Sequence, residues 1–168
     1  METKSPAILQ VLQADLEVVQ DYLWEIRKHL FPMLPTDKIP EDIACLKEFY
    51  LDNPLSAILY AKDDHGELIG VIGMREYDYR FSYLDIPRSQ VVEVARLFIN
   101  PKYRRLGLAS RFVTELKILA ELKNIELMYL HTHPFLSGAY EFWLSQDFEL
   151  DKICMESGFE TIHMRLKL

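Results

Sequence analysis

The residues that point most clearly to chemistry form a short basic turn, Arg104-Arg105-Leu106-Gly107-Leu108-Ala109. The turn follows a strand-like apolar run, Val91 to Ile99, and it opens an amphipathic segment that predicts a helix from Leu108 to Lys123. The first backbone N–H groups of a helix have no intrahelical acceptor, and the helix dipole adds partial positive charge at the same end. Because Arg104 and Arg105 add side-chain charge, we expect the turn to bind a ligand that carries phosphate groups.

The residue pattern of the turn narrows the ligand. The glycines of the chain form neither the Gly-x-Gly-x-x-Gly of dinucleotide folds nor the Gly-x-x-x-x-Gly-Lys-Ser/Thr of nucleotide triphosphatases. The turn reads Arg-x-x-Gly-x-Ala, after Leu97-Phe98-Ile99-Asn100-Pro101-Lys102-Tyr103. This arrangement resembles the acetyl-CoA motif of the GNAT superfamily of N-acyltransferases. A bare Arg-x-x-Gly-x-Ala also fits a helix start that uses glycine for close packing, but the flanking strand, Pro101 and Tyr103 favour the cofactor site.

The resemblance implies a set of cofactor contacts. Strand amides around Leu97 and Ile99 would hold the pantetheine arm of acetyl-CoA and polarise its thioester carbonyl, while the basic turn would hold the pyrophosphate. The cofactor-binding residues implied are Leu97, Phe98, Ile99, Arg104, Arg105, Leu106, Gly107, Leu108, Ala109, Ser110 and Trp143.

A second stretch resembles the family pattern Asn-x-x-Ala-x-x-Phe-Tyr-x-x-x-Gly-Phe. Ala139, Phe142 and Phe148 match it, whereas Trp143 stands at the Tyr position and Asp147 at the Gly position. In the family that Tyr often protonates the departing CoA thiolate, and an indole N–H is not an acid near neutral pH. We therefore expect Trp143 to pack near the cofactor without donating a proton, so that another group or water protonates the thiolate.

The candidate general base is Glu93, the counterpart of a Glu that many relatives carry in a Glu-x-x-Arg-Leu pattern. It lies three residues before Arg96. The resemblance implies that Glu93 accepts a proton from the ammonium of the acceptor, directly or through a water. The alternative is a carboxylate that faces solvent or pairs with Arg96 or Arg80. His133 and Tyr140 are the next candidates, because both lie on the segment that borders the reaction centre in the family.

Two histidines, His131 and His133, share one side of an extended segment and are compatible with a metal site. No third ligand is evident in the sequence, so we expect no metal. The aromatic segment 77–83 and the break after the first helix, 31–35, lie where the family builds its acceptor pocket. Their aromatic rings and Asp78 could receive a cationic amine, or the segment 77–83 could pack its rings onto the domain.

The elements that must position these residues are read from apolar spacing and turn signals. Strands are predicted at Ala7–Leu12, Leu55–Ala61, Leu68–Met74, Val91–Ile99, Glu126–His131, Phe148–Met155 and Thr161–Leu168. Gly70 and Gly73 in the third of these strands indicate a close approach to its backbone. Helices are predicted from Asp15 to Leu30, from Pro40 through Phe49, from Leu108 to Lys123 and from Gly138 to Gln146. Asp15 is predicted to cap the first of these helices, and Pro40 to be the first residue of the second. The order β-α-α-β-β-β-α-β-α-β-β is that of the GNAT fold. We expect an α/β (α+β) fold with a mixed sheet of about seven strands flanked by about four helices, in a single domain over residues 1–168.

Composition limits the other possibilities. The chain has 168 residues, 49% hydrophobic content, a formal net charge of −7 and two cysteines, Cys45 and Cys154, without metal-ligand spacing. We expect a cytoplasmic protein with buried thiols, because the sequence starts without an apolar signal segment and lacks a long apolar run. The acidity argues against nucleic acid and suits a cationic amine acceptor. We expect a monomer or a homodimer that does not bind a membrane.

These observations support two functions. The first is an N-acetyltransferase that moves the acetyl group of acetyl-CoA directly to a primary amine of a small molecule or peptide, without a metal. The second is a non-catalytic acyl-CoA-binding regulatory module, which Trp143 in place of the usual acid favours.

Overall fold

The computed structural model describes residues 5–168, and the first four residues, which belong to the segment that motivated the expected lack of a signal sequence, lie outside the described part. Within residues 5–168, seven strands form one mixed sheet in the order β1-β2-β3-β4-β5-β7-β6. The strands are β1 Ile8–Gln10, β2 Ala57–Lys62, β3 Leu68–Glu76, β4 Val91–Ile99, β5 Leu127–Thr132, β6 Glu149–Glu156 and β7 Phe159–Lys167. The pair β4–β5 is parallel and the other neighbours are antiparallel.

The helices are α1 Leu16–Leu30, α2 Glu41–Ala44, α3 Leu108–Leu122 and α4 Ala139–Ser145, with short helical turns at Gln13–Asp15, Lys47–Leu51 and Pro101–Tyr103. This element order and the mixed sheet confirm the predicted fold class. Most boundaries differ from the prediction by one or two residues, as expected where fraying rather than a cap decides the end.

The sheet is covered on both faces. One core contains α3 and α4, with Phe112 and Leu116 packed on the inner strands. The other contains α1 and α2, with Leu23 and Ile43 packed on β2 and β3. The predicted close approaches in β3 are present: a Cβ atom at Gly70 would lie 2.8 Å from the Phe112 ring, and further along β3 a Cβ atom at Gly73 would lie 2.8 Å from the Tyr50 ring.

The parallel pair β4–β5 separates after three residues. Its register runs from Val91 opposite Leu127 to Glu93 opposite Tyr129 and then ends. On its other side β4 is bulged, because two residues, Arg96 and Leu97, face the single residue between the next paired positions of β3. Arg96 takes a positive φ of 62° there. A bulge bends its strand, so the carboxyl half of β4 turns away from β5 and leaves a gap between them.

Three local predictions are corrected. The Asp15 side chain accepts a hydrogen bond from the Leu12 N–H at 2.9 Å and thus caps the turn before α1, not α1 itself. Pro40 precedes α2 as its N-cap residue and is not the first helical residue. Cys45 and Cys154 are free but only half-buried, whereas the sequence predicted buried thiols. In the part of the chain that is described, no helix combines the length and apolar content that a membrane span requires.

Candidate functional site

A cavity of about 970 Å³ occupies the gap between β4 and β5 and continues under α1. At one end, here called the turn end, it is lined by Leu97, Phe98, Ile99, Arg104, Arg105, Gly107, Leu108, Ala109 and Ser110. At the other, here called the network end, it is lined by Arg27, Asp42, Arg75, Arg80, Glu93, Arg96, His131 and His133. Trp143 also lines the cavity. The structure thus brings most of the predicted site residues to one space.

Two predicted site residues lie elsewhere. Leu106 is 72% exposed and does not line the cavity, because its side chain points to solvent at the crest of the basic turn. Tyr140 is half-buried and packs against the core on the α3 side of the sheet, so its hydroxyl is not placed among the cavity-lining groups. The structure therefore does not favour Tyr140 as a proton-transfer group.

The turn end presents unpaired backbone N–H groups. Gly107 is the N-cap of α3 with φ 77°, a conformation that suits glycine, and the first helical hydrogen bond runs from Arg111 N to Gly107 O at 3.1 Å. The N–H groups of Leu108, Ala109 and Ser110 precede that bond and have no acceptor within residues 5–168. They lie at the positive end of a fifteen-residue helix, which is the environment that phosphate oxygens favour.

Arg104 attaches the turn to the strand before it. Its Nε donates to the Ile99 carbonyl at 3.0 Å, and its guanidinium lies 5.7 Å from the centre of the Phe98 ring. The hydrogen bond and the ring contact restrain the guanidinium, which lines the same end of the cavity as the free N–H groups. Side-chain charge and backbone donors are therefore combined at one place.

At the network end, Glu93 is 2% exposed and fully engaged. Arg80 donates to both carboxylate oxygens at 2.6 and 2.7 Å, and Arg75 donates to Oε2 at 3.3 Å. Burial alone would raise the pKa of Glu93, but the hydrogen bonds from Arg80, the contact with His131 and the nearby arginine charges hold it well below its usual range. A proton acceptor needs a free lone pair and a pKa near the working pH, so this geometry is unfavourable for Glu93 as a direct base.

His131 lies beside this carboxylate. Its Nδ1 atom is 3.4 Å from Glu93 Oε1, a long distance for a hydrogen bond, and it has no other partner in the described residues. Edge contact with Phe81, at 5.7 Å between ring centres, restrains the imidazole. A neutral imidazole with its proton on Nδ1 would face the carboxylate and keep Nε2 as an acceptor.

His133, two residues after His131 and just beyond the end of β5, is fixed in a similar way. Its Nδ1 lies 3.0 Å from the Glu160 carbonyl oxygen, which can only accept, so the proton is on Nδ1 and Nε2 is the acceptor. Burial lowers the pKa of His133, the carbonyl contact raises it, and the charge of His131 lowers it. The net direction is downward, and the ring is neutral near neutral pH. It stacks on Phe135 at 4.9 Å.

A second buried ion pair adjoins the first. Arg96, placed by the bulge in β4, donates to both oxygens of Asp42 at 2.6 and 2.9 Å, and the Tyr50 hydroxyl donates to the same carboxylate at 2.8 Å. Burial opposes the ionised form of Asp42, but the Arg96 contacts outweigh it and lower the pKa of Asp42. Of the two partners considered for Glu93, the structure selects Arg80 and pairs Arg96 with Asp42.

The aromatic segment 77–83 packs its rings onto the domain. Tyr77 is buried and lies 4.7 Å from the Tyr129 ring, and Phe81 lies 5.0 Å from the His163 ring. Asp78 pairs with Arg80 at 2.9 Å and is not free for an amine. The contribution of this segment to the cavity is Arg80, so the packing alternative describes it better than an aromatic receptor for a cation.

Trp143 is 7% exposed and sits between Phe142 and Phe148, with ring-centre distances of 5.0 and 5.2 Å. It forms an apolar part of the cavity wall next to the gap between the strands. The contact is consistent with the predicted packing role and supplies no acid.

Sequence reasoning missed four residues of the network end. Arg27, Asp42 and Arg75 were not singled out, and His131 was considered only as a possible metal ligand together with His133. One signal was present for Arg27, which lies four residues after Leu23 and three before Leu30 and so falls on the apolar side of α1. The described residues contain no group of three or more His, Cys, Asp and Glu side chains that could hold a metal ion.

The fold and the site are those of a known family of proteins. The chain belongs to the acetyltransferase (GNAT) family, whose model matches residues 19–148. Solved structures agree in fold. An acetyltransferase of the GNAT family from Staphylococcus aureus Mu50 has a TM-score of 0.74 and 20% identity, covering 97% of this chain and 100% of its own.

Two further solved structures contain the cofactor. The PaiA N-acetyltransferase of Thermoplasma acidophilum, in complex with coenzyme A, has a TM-score of 0.67 and 18% identity over 98% of this chain and 99% of its own. A Salmonella typhimurium protein, solved with its cofactor acetyl-CoA, has a TM-score of 0.68 and 13% identity over 98% and 94%. No curated protein matches this sequence significantly.

Proposed function

We propose that the protein is an acetyl-CoA-dependent N-acetyltransferase that transfers the acetyl group directly to a primary amine of a small molecule or peptide. One observation carries the proposal: a single cavity joins the free N–H groups at the start of α3 to His131 and Glu93 through the gap between β4 and β5. Such a cavity suits a long ligand with phosphates at one end and a reactive thioester at the other.

In the proposed complex, Leu108, Ala109 and Ser110 donate backbone N–H groups to the pyrophosphate, with Arg104 and Arg105 beside them. The carboxyl half of β4, released from β5 by the bulge, offers the backbone of Leu97 and Ile99 to the pantetheine arm. The relatives solved with coenzyme A or acetyl-CoA support this cosubstrate. No metal has a role in the proposed reaction.

Between heavy atoms, the reaction forms one C–N bond and breaks one C–S bond. The amine nitrogen attacks the thioester carbonyl carbon, the carbonyl electrons return, and the C–S bond breaks to release the CoA thiolate. The nitrogen loses a proton to a base. The thiolate takes a proton from water, since its conjugate acid titrates only about one to two pH units above neutrality, and the protonated base returns its proton to the water, so the protons balance. Positioning and polarisation of the carbonyl supply most of the rate enhancement.

We assign the base to His131. When Nδ1 faces Glu93, the lone pair on Nε2 is left free to accept a proton. His131 lies where β4 and β5 separate. Glu93 then orients and stabilises the imidazolium that forms, as an ionised carboxylate whose pKa is held low. Glu93 is in this scheme a positioning residue. His133 is the second candidate, because its Nε2 is also free.

Turnover tests the proposal. Purified protein is mixed with acetyl-CoA and a broad panel of amines, and free CoA thiol is followed over time, with calorimetry of CoA binding in parallel. Binding of CoA together with amine-dependent thiol release supports the acetyltransferase. Tight CoA binding with no amine-dependent release across the panel supports the non-catalytic acyl-CoA-binding module. Absence of CoA binding by correctly folded protein contradicts both functions.

A further inference from the structure

One guanidinium group in the cavity lacks the kind of partner that its neighbours have. Arg27 lines the network end from α1, and its Nη1 atom is buried without a hydrogen-bond acceptor anywhere in residues 5–168. Burial lowers the pKa of Arg27, and the positive charge of Arg96 lowers it further. A partly buried cation that faces another cation is unfavourable until an anion pairs with it.

The carboxylates nearby are already paired with other arginines. Asp42 is held by Arg96 at 2.6 and 2.9 Å, and Glu93 is held by Arg80 at 2.6 and 2.7 Å and by Arg75 at 3.3 Å. The residues that line the network end carry four guanidinium groups and two carboxylates, and a third carboxylate, Asp78, pairs with Arg80 from outside the lining, so one formal positive charge is in excess. The whole chain, by contrast, has a formal net charge of −7.

We propose that Arg27 binds an anionic oxygen group of the acceptor, so that the acceptor is a small amine that also carries a carboxylate or a phosphonate. The inference rests on the acetyl transfer proposed above and names the substrate class of that site. A guanidinium group recognises both kinds of oxygen group through charge-assisted, often paired, hydrogen bonds. The Phe31 ring, 5.9 Å from the Arg27 Cζ atom, restrains the guanidinium on one side.

The same charges affect the amine. Nearby positive charge disfavours an ammonium and lowers its pKa, so an acceptor held at the network end releases its proton more readily. A polyamine would add positive charge to this end without neutralising any. The acidic composition of the chain favours a cationic acceptor, whereas the residues that line this end favour an anionic group beside the amine.

Matched acceptors test the inference. Each natural amino acid is compared with its carboxamide, its decarboxylated amine and its aminophosphonate analogue, which differ only at the group that would meet Arg27. Thiol release gives kcat and KM for each. We expect kcat/KM for the preferred amino acid or aminophosphonate to exceed that of its carboxamide by at least tenfold, about 1.4 kcal/mol. The better of the two anions identifies which oxygen group the site takes.

Variants separate recognition from a general loss of function. Arg27→Gln should raise KM for the acidic acceptor about tenfold, with little change in kcat, in carboxamide turnover or in CoA affinity. Lys28→Gln is the matched control, since Lys28 is the next residue of α1 and pairs on the surface with Glu25 at 2.6 Å. It should leave all these values unchanged.

The outcomes distinguish this inference from the proposed function. If the protein binds CoA and acetylates neutral amines or polyamines as well as acidic ones, or if Arg27→Gln affects all acceptors equally, the inference is overturned and acetyl transfer stands. If no acidic amine is turned over, or bound by CoA-loaded protein in calorimetry, the inference is also overturned. If CoA itself does not bind, the proposed function fails first.

Discussion

The two ends of the cavity are built in different ways. The turn end comes from one continuous piece of chain, residues 97–110, in which a strand, a turn and a helix start follow one another. The network end is assembled from α1, α2, β3, the segment before β4, β4 itself and β5. The first presents backbone N–H groups, which depend on local conformation. The second presents side chains whose charge states depend on their neighbours.

Because the two ends are built differently, they tolerate different substitutions. A side-chain substitution in the basic turn leaves its backbone donors in place, and only a change of backbone conformation or added bulk removes them. A substitution at the network end removes one partner from a set of buried charges, and the remaining charges lose their compensation.

The largest effect is expected for proton transfer at the network end. His131→Gln removes the proposed acceptor and should lower kcat by about 10² to 10⁴ while CoA affinity stays unchanged. The acidic limb of the pH–rate profile should flatten with it. His65→Gln, in the exposed turn between β2 and β3, is the control and should behave as wild type. An unchanged kcat would remove His131 from the mechanism and move the role to His133.

Glu93→Gln should affect stability as well as activity. The amide leaves Arg80 and Arg75 without their carboxylate, and the free energy of unfolding at neutral pH should fall by about 3 kcal/mol, the low end for a broken buried pair, because the Arg80 side chain keeps 32% exposure. Urea unfolding measures the loss. The exposed Glu115→Gln is the matched control. A stability equal to wild type would show that these ion pairs are not coupled to folding.

The sign of the pH dependence follows from the lowered pKa of Glu93. Above the unfolded-state pKa of about 4.3 the carboxylate is ionised in both states, and its pairing stabilises the folded protein in full. Below that value the unfolded chain takes up a proton before the folded one does, so the stabilisation is lost as the pH falls. The difference between wild type and Glu93→Gln should therefore shrink in acid and persist at neutral pH.

A substitution at the turn end should change the affinity for CoA and leave the chemical step unaffected. Gly107→Val places a branched side chain beside the free N–H groups and should weaken CoA binding at least tenfold, about 1.4 kcal/mol. Valine is also strained at the φ of 77°, so Gly158→Val is the control, because Gly158 has φ 85° in the β6–β7 turn and does not line the cavity. Calorimetry that finds wild-type CoA affinity in folded Gly107→Val would contradict the assignment of this turn to the pyrophosphate.

The smallest effect is expected for Trp143, which lines the cavity wall between the turn end and the network end. Trp143→Phe keeps an aromatic ring in the cavity wall and removes an indole that we do not assign to proton transfer. The alkaline limb of the pH–rate profile should stay where it is in wild type. Trp24→Phe, on α1 and outside the cavity lining, serves as the control. A displaced or missing limb would show that Trp143 acts on the leaving thiolate.

Much of the fold was predictable because its signals are local. Apolar periodicity in 16–30 and 108–122 reflects helices that bury one face, and the predicted bounds Val91–Ile99 of β4 agree with the structure. Gly70 and Gly73 were predicted to allow close approach, and rings of Phe112 and Tyr50 fill that space. The Asp15 error has the same origin, since a capping residue in the sequence does not say which of two successive turns it caps.

The sequence alone was enough to predict the strand, the basic turn and the helix start at the turn end of the cavity, because each depends on residues that are close neighbours along the chain. It also determined that Glu93 and Arg96 lie on one strand. Only the tertiary structure decided their partners, since the bulge at Arg96 sends its guanidinium to Asp42 while Arg80 reaches Glu93 from a separate segment. Among residues 5–168, Arg27 is left without a carboxylate for the same reason: electrostatic pairing is set by distance in space, and distance along the chain does not determine it.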